Sequence, residues 1–255
     1  MELTLAGKTA LVTGASRGLG RKIAEDFAAL GATVAINYAA SDDAAREVLA
    51  GIEAKGGKAF LIKCPLGTYE AAVELAEALD AGLQERTGDT GLDILVNNAG
   101  GGPVANFDAT TPELFEEIMS LNMRAPFFVT QQLKPRLRDG GRVINVGSLG
   151  ARTAVVDYVV YAMSKRALET FTIVLAKDLG PRNITVNCIN PGLIESDANI
   201  HVRENAELKA YLESATPMGR FGVPSDFSGV AVSLASPQMG YVTGQIIEVS
   251  GGMSL

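Results

Sequence analysis

Short apolar runs alternate with amphipathic stretches along most of this chain. Thr9 to Val12 is apolar and β-branched; it runs straight into TGASRGLG at 13–20 and then into a helical pattern from Arg21 to Leu30. Gly31 stands where a helix C-cap glycine would, and Thr33 to Asn37 reads as a second strand. The alternation continues with a helix at 41–55, a strand at 59–63, a helix at 69–86 and a fourth strand in LDILVNNAG. Thr111-Pro112-Glu113 predicts a helix start, with Thr111 as N-cap and Pro112 in the first helical position. That helix is expected to reach Leu137, bent or interrupted at Pro126, which removes one helical N–H. GRVINVGS, NITVNCINPG and GQIIEVSGG supply three more strands, with a helix from Tyr158 to Leu179 between the first two.

Strands apolar on both faces and separated by helices imply a parallel sheet with right-handed crossovers and helices on both sides. The expected fold is α/β: a doubly wound, Rossmann-type, mainly parallel sheet of seven strands. With 255 residues, nearly half of them hydrophobic, the chain can bury a sizeable core. No linker-like composition, repeat or long charge run divides it, so one domain over 1–255 is expected.

Charge and cysteine content narrow the function classes. A net charge of -7 disfavours a nucleic-acid partner, whose phosphates would be repelled. Cys64 and Cys188 lie far apart with no CxxC or His/Cys spacing, so neither a disulfide framework nor a metal site is indicated. The apolar runs fall short of the ~20 residues needed to cross a bilayer. MELTLAGKTA lacks the basic start and apolar stretch of a signal peptide, so a soluble, cytoplasmic protein without a membrane partner is expected.

The candidate chemistry is a set of polar residues in a fixed order. TGASRGLG lies between a strand and a helix, so its glycines would let backbone approach a pyrophosphate at a helix N-terminus. NNAG follows at 97–100, then Ser148 at the end of the fifth strand, then Tyr161 and Lys165 in YAMSK, one helical turn apart. A phenol exchanges protons poorly at neutral pH unless adjacent positive charge stabilises its ionised form, and Lys165 is placed to do so. Tyr161 is therefore the expected general acid of a reduction, or general base of an oxidation. Tyr158 has no lysine on its own face and reads either as a pocket wall or as packing.

Taken together, these motifs resemble the short-chain dehydrogenase/reductase family over nearly the whole chain, and within it the 3-oxoacyl carrier-protein reductases and related ketoreductases. The resemblance implies a catalytic set of Asn122, Ser148, Tyr161 and Lys165. It also implies a dinucleotide held by Gly14, Ser16, Arg17, Gly18, Leu19 and Gly20, by Asn97, Ala99 and Gly100, by Tyr161 and Lys165, and by Pro191, Gly192 and Ile194 beside the nicotinamide. Ser196 stands where the family usually has a threonine that contacts the carboxamide.

An acidic residue at the end of the second strand would select NAD(H) through the ribose 2′-hydroxyl. Asn37 is read at that place, and Arg17 and Ser41 offer a cation and a hydroxyl suited to a 2′-phosphate. NADP(H) is thus favoured, with NAD(H) as the alternative and Asp42 and Asp43 as opposing charges if they turn inward. Cys64-Pro65-Leu66 departs from the family's Asp at that place, which puts the adenine contact in doubt.

A small-molecule carbonyl or alcohol is the expected substrate. The alternatives are oxidation of a sugar or steroid alcohol and a non-catalytic nucleotide-binding protein. Residues 193–221 resemble the family's substrate lid and include His201, the one histidine, while Arg152 offers either an anion contact or a surface charge. The apolar C-terminal strand resembles the family's subunit contact, implying a homotetramer, with a dimer second and a plain edge strand as the bland reading.

Overall fold

In the computed structural model, residues 3–195, 202 and 204–253 are described. The strands are β1 (Thr9–Val12), β2 (Thr33–Tyr38), β3 (Lys58–Lys63), β4 (Leu92–Asn97), β5 (Leu137–Val146), β6 (Thr185–Pro191) and β7 (Ile246–Val249). They form one sheet in the order β3-β2-β1-β4-β5-β6-β7, and every pairing is parallel. The chain winds outward from β1 to β3, then returns to lay β4 against the other side of β1. The order therefore reverses between β1 and β4, and the crevice at their carboxyl ends is where a doubly wound sheet takes its ligand.

The helices are α1 (Gly18–Ala29), α2 (Asp42–Glu53), α3 (Tyr69–Thr87), α4 (Pro112–Met119), α5 (Ala125–Leu133), α6 (Val159–Leu179), α7 (Ala206–Ser214) and α8 (Pro224–Ala235). β1, β2 and β4 are buried at every position, which explains why their sequences run apolar without alternation. Ala10, Val12 and Ile36 face one core with Phe27 of α1, Val48 of α2 and Phe227 of α8. Leu11, Ala35 and Leu95 face the other, with Leu79 of α3, Leu133 of α5 and Leu179 of α6.

The long helix expected from Thr111 to Leu137 is not continuous. Thr111 does cap it, its hydroxyl accepting from the Leu114 N–H at 3.2 Å. The irregularity, however, comes before Pro126, as a π-helical turn over Ser120–Arg124, and α5 ends at Leu133. Pro126 still has a consequence: it lacks the N–H that would otherwise bond the Asn122 carbonyl four residues earlier. Leu137 already belongs to β5, pairing with Leu92, and the register then jumps so that Ile94 pairs with Arg142. The extra residues form a bulge that Asp93 holds by accepting from Arg138 Nη1 at 2.7 Å.

Candidate active site

The glycine turn leaves β1 at the switch point. Gly14 and Gly18 have φ of +62° and +57°, which side-chain-bearing residues rarely adopt, and a Cβ on Gly14 would sit 2.9 Å from the Ala99 Cα. Gly20 is needed for closeness: a Cβ there would overlap the Asn98 amide and lie 2.6 Å from the Gly14 carbonyl oxygen. α1 begins at Gly18 with no side chain capping it, so its first N–H groups are presented at the crevice. Arg17, at the N-cap, is exposed and makes no ion pair among the described residues. Ser16 is buried beside it, whereas Leu19 packs against the core. An uncapped helix start, a glycine cradle and an unpaired guanidinium suit a dinucleotide phosphate.

Two residues assigned to this site from the sequence lie elsewhere. The Asn37 side chain is buried; its amide donates to the Cys64 carbonyl at 3.0 Å and the Ile62 carbonyl at 3.3 Å, and its oxygen accepts from the Gly14 N–H at 3.4 Å. It ties β2, β3 and the glycine turn together and does not face a ribose. The last residue of β2 is Tyr38, whose hydroxyl donates to Asp42 at 2.8 Å. Asp42 also receives Lys63 at 2.7 Å, and Arg46 takes Asp43, so neither acid is left unpaired. Ser41 caps α2 with backbone only and keeps its hydroxyl exposed. Asn97 likewise turns away from the crevice, donating to Thr130 at 3.0 Å and to Asn145 at 2.9 Å. The residue of NNAG that braces the glycine turn is Asn98, which donates to the carbonyls of Thr13 at 2.8 Å and Gly14 at 3.1 Å.

Ser148, Tyr161, Lys165 and Asn122 do come together. β5 delivers Ser148, whose hydroxyl accepts from the Gly150 N–H at 3.0 Å. α6 carries Tyr161 and Lys165 on one face. The Lys165 ammonium donates to the Val146 carbonyl at 2.9 Å and stands 5.8 Å from the centre of the Tyr161 ring. A Cβ on Gly100 would lie 2.9 Å from both Lys165 Nζ and Asn122 Oδ1, so this glycine leaves the space in which the two meet. Asn122, fully buried in the π turn, binds Gly101 at both ends, accepting from its N–H at 3.0 Å and donating to its carbonyl at 2.7 Å.

Burial raises the Tyr161 pKa above the usual phenol value, and a hydrogen bond with Ser148 acts against it. Burial pushes Lys165 down from 10.5 to about 8. Of the nucleotide-side residues, Pro191 pairs with Val249, Gly192 donates to the Val249 carbonyl at 3.0 Å and Ile194 bridges Gly222. Ser196 and His201 lie outside the described residues.

A family model described as enoyl-(acyl carrier protein) reductase matches residues 14–254. The tetrahydroxynaphthalene reductase of Pyricularia oryzae is 37% identical over 98% of this chain and 90% of its own. The angucycline C-6 ketoreductase LanV, solved with bound NADP, is 44% identical with a TM-score of 0.93, covering 98% of this chain and 96% of its own. The reductase LugOII, described as catalysing keto-reduction at C1 during lugdunomycin biosynthesis, is 40% identical with a TM-score of 0.94, covering 98% and 99%. The chain is a short-chain dehydrogenase/reductase.

In this short-chain dehydrogenase/reductase Arg152 is engaged by carboxylates of its own chain. Its Nε lies 3.2 Å from both Glu169 and Glu248. Tyr158 packs edge-on against Tyr161, with ring centres 5.9 Å apart, and is half-buried, which fits the packing role. Exposed apolar side chains lie beside it: Val156 is 76% exposed, and so are Val155, whose carbonyl accepts from the Tyr158 N–H, and Val104, next to the Ala105 that bridges Tyr158. A separate cavity of about 770 Å³, lined by Met218, Arg220, Ile247 and Met253 among others, touches Leu149 and Ile194 but none of Ser148, Tyr161 and Lys165. It stands beside the chemistry without containing it. No described helix is long and apolar enough to cross a membrane.

Proposed function

We propose that this protein is an NADP(H)-dependent ketoreductase acting on a ketone borne by a fused-ring aromatic compound. The convergence of Ser148, Tyr161 and Lys165 beneath Gly100 carries the reading. Tyr161, with its pKa raised, holds its proton at neutral pH and donates it to the substrate oxygen. Ser148 holds that oxygen and orients the phenol, and the Lys165 charge stabilises the phenolate left behind. NADPH, when bound, supplies the hydride. The glycine cradle and the α1 N-terminus hold its pyrophosphate, and Arg17 and Ser41 take the 2′-phosphate.

The substrate class rests on likeness to reductases named for hydroxynaphthalene and angucycline compounds and on the exposed apolar side chains of Val104, Val155 and Val156 beside Tyr158. Pairing of Arg152 with two carboxylates weakens the case for an anionic or carrier-bound substrate. We also take the protein to be cytoplasmic, one domain and a homotetramer, with a dimer second. Exposed Met163, Ile173 and Val174 on α6 and Phe127 on α5 support association, and light scattering would measure it.

The test is NADPH oxidation over a panel of fused-ring aromatic ketones, 3-oxoacyl thioesters and sugar or steroid alcohols with NADP+. Turnover of the aromatic ketones, abolished by Tyr161→Phe with NADPH still bound, is expected. Turnover of the thioesters alone would overturn the substrate class, and near-normal kcat in Tyr161→Phe the proton-transfer role.

A further inference from the structure

Behind Ser148 lies a buried polar cluster that takes no part in the chemistry described above. Asn190, on β6, is fully buried, and its side-chain oxygen accepts from the Ser148 N–H at 3.1 Å. Its amide nitrogen donates to Glu169 at 2.6 Å and to Glu248 at 3.1 Å. Two carboxylates accept only, so they fix which end of the amide faces them, and the oxygen is left aimed at Ser148. Glu169, itself 3% exposed, sits one helical turn beyond Lys165 on α6. Its charge is balanced by Arg166 Nη1 at 2.5 Å and Arg152 Nε at 3.2 Å. Arg152 belongs to the loop that starts at Ser148, so that loop is held by Asn190 at one end and, at the other, by the carboxylate that orients Asn190. Gly147 completes the fit, since any Cβ there would overlap the Asn190 oxygen and lie 2.8 Å from the Cys188 sulfur.

We propose that Asn190, oriented by Glu169 and Glu248 and assisted by Arg152, is a positioning residue that sets Ser148 against Tyr161. The proposal rests on the proton-transfer reading of Tyr161 and Ser148. An amide is suited to the task because it offers an acceptor to Ser148 and donors to the carboxylates at once. An ionised carboxylate has no hydrogen to donate, and a hydroxyl has only one, too few for the two carboxylates. The consequence is kinetic: a Ser148 displaced by a fraction of an ångström no longer holds the substrate oxygen in line with the phenol, while the phosphate cradle between β1 and α1, separated from β6 by β4 and β5, still anchors the dinucleotide.

The experiment is a double-mutant cycle on the full chain. Asn190→Ala is expected to lower kcat about ten- to hundredfold with NADPH binding, followed by nucleotide fluorescence, unchanged. In a Ser148→Ala background the same change is expected to add less than about threefold, because the group it positions is already gone. Equal losses in both backgrounds, or none in the parent, would overturn the proposal. Arg152→Ala, an exposed change that leaves the core intact, is read by the same two-background comparison if Asn190→Ala does not fold. Tyr161→Phe, run alongside, separates the two readings. Full turnover there defeats the proton-transfer role itself, whereas an inactive Tyr161→Phe beside an unaffected Asn190→Ala defeats only the positioning role.

Discussion

The Lys165 ammonium is bonded to the Val146 carbonyl at 2.9 Å, so the strand that leads into Ser148 anchors, by its last residue, the cation that serves Tyr161. One hydrogen bond to a neutral carbonyl does not offset the loss of water around a fully enclosed charge, and burial brings the pKa down to about 8.

Lys165→Met is therefore expected to abolish reduction yet raise stability at pH 7 by about 1–3 kcal/mol, measured by denaturant unfolding. The pH dependence has a definite sign. The folded lysine loses its proton near 8 and the unfolded one near 10.5. Between those values the unfolded state binds the extra proton, so this group's contribution makes stability rise with pH there and the variant's advantage shrink. Turnover should move the other way, falling as pH passes about 8 and the charge beside the phenol is lost. An advantage for the variant that persists undiminished above pH 10.5 would contradict the assignment.

Asn37→Asp separates a cofactor role from a structural one. At the adenosine ribose, a new carboxylate would turn preference toward NADH. In its observed place it would lose the donor to Ile62 and Cys64 and set a buried negative charge against two carbonyl oxygens. We expect a loss of about 2–4 kcal/mol in stability with the ratio of kcat/KM for NADPH and NADH in the folded fraction unchanged.

That residue also shows where the sequence could be followed and where it could not. The sheet was legible because β1, β2 and β4 are buried on both faces and so run mostly apolar, with few polar residues to blur the pattern. The catalytic set was legible because it depends on order and on one helical turn between Tyr161 and Lys165. Strand ends were harder. Side chains alternate between faces, so placing the end of β2 at Asn37 and not Tyr38 put a core amide in the place of the residue that ends the strand. The same happened at NNAG, where Asn97 points into the layer of Thr130 and Asn145 and Asn98 braces the turn. Asn190 and Glu169 carried no motif at all. The one sign of them was Gly147, immediately before Ser148, whose cause is the side-chain oxygen of the distant Asn190, which leaves no room for a Cβ. Pro126 gave the right helix but the wrong place for its irregularity, because the π turn is organised by Asn122 bonding Gly101, a contact between distant segments.

Arg17→Ala tests the cofactor choice. The guanidinium is exposed and unpaired, so its removal leaves the fold as it is. A charge-assisted bond to a phosphate contributes about 1.5–3 kcal/mol, so kcat/KM for NADPH should drop roughly tenfold to a hundredfold while that for NADH changes little. Equal losses with both cofactors would place Arg17 on the shared pyrophosphate instead.

Gly20→Ala tests the cradle itself. The added methyl would overlap the Asn98 amide, which donates to the carbonyls of Thr13 at 2.8 Å and Gly14 at 3.1 Å, and would crowd the Gly14 carbonyl oxygen at 2.6 Å. Alanine suits a helix better than glycine, so the change gains helix propensity while it breaks the brace. The two effects are read by different measurements. Thermal unfolding of the protein alone should report a loss of about 1–3 kcal/mol from the broken brace and the crowded backbone, the fold persisting because α1 keeps Ile23, Ala24 and Phe27 in the core. NADPH affinity should fall at least about tenfold, because the turn can admit the methyl only by moving away from Asn98 and closing on the pyrophosphate. NADPH binding at wild-type strength, measured by calorimetry, would show that the close packing of Gly20 against Asn98 is not what shapes the phosphate site.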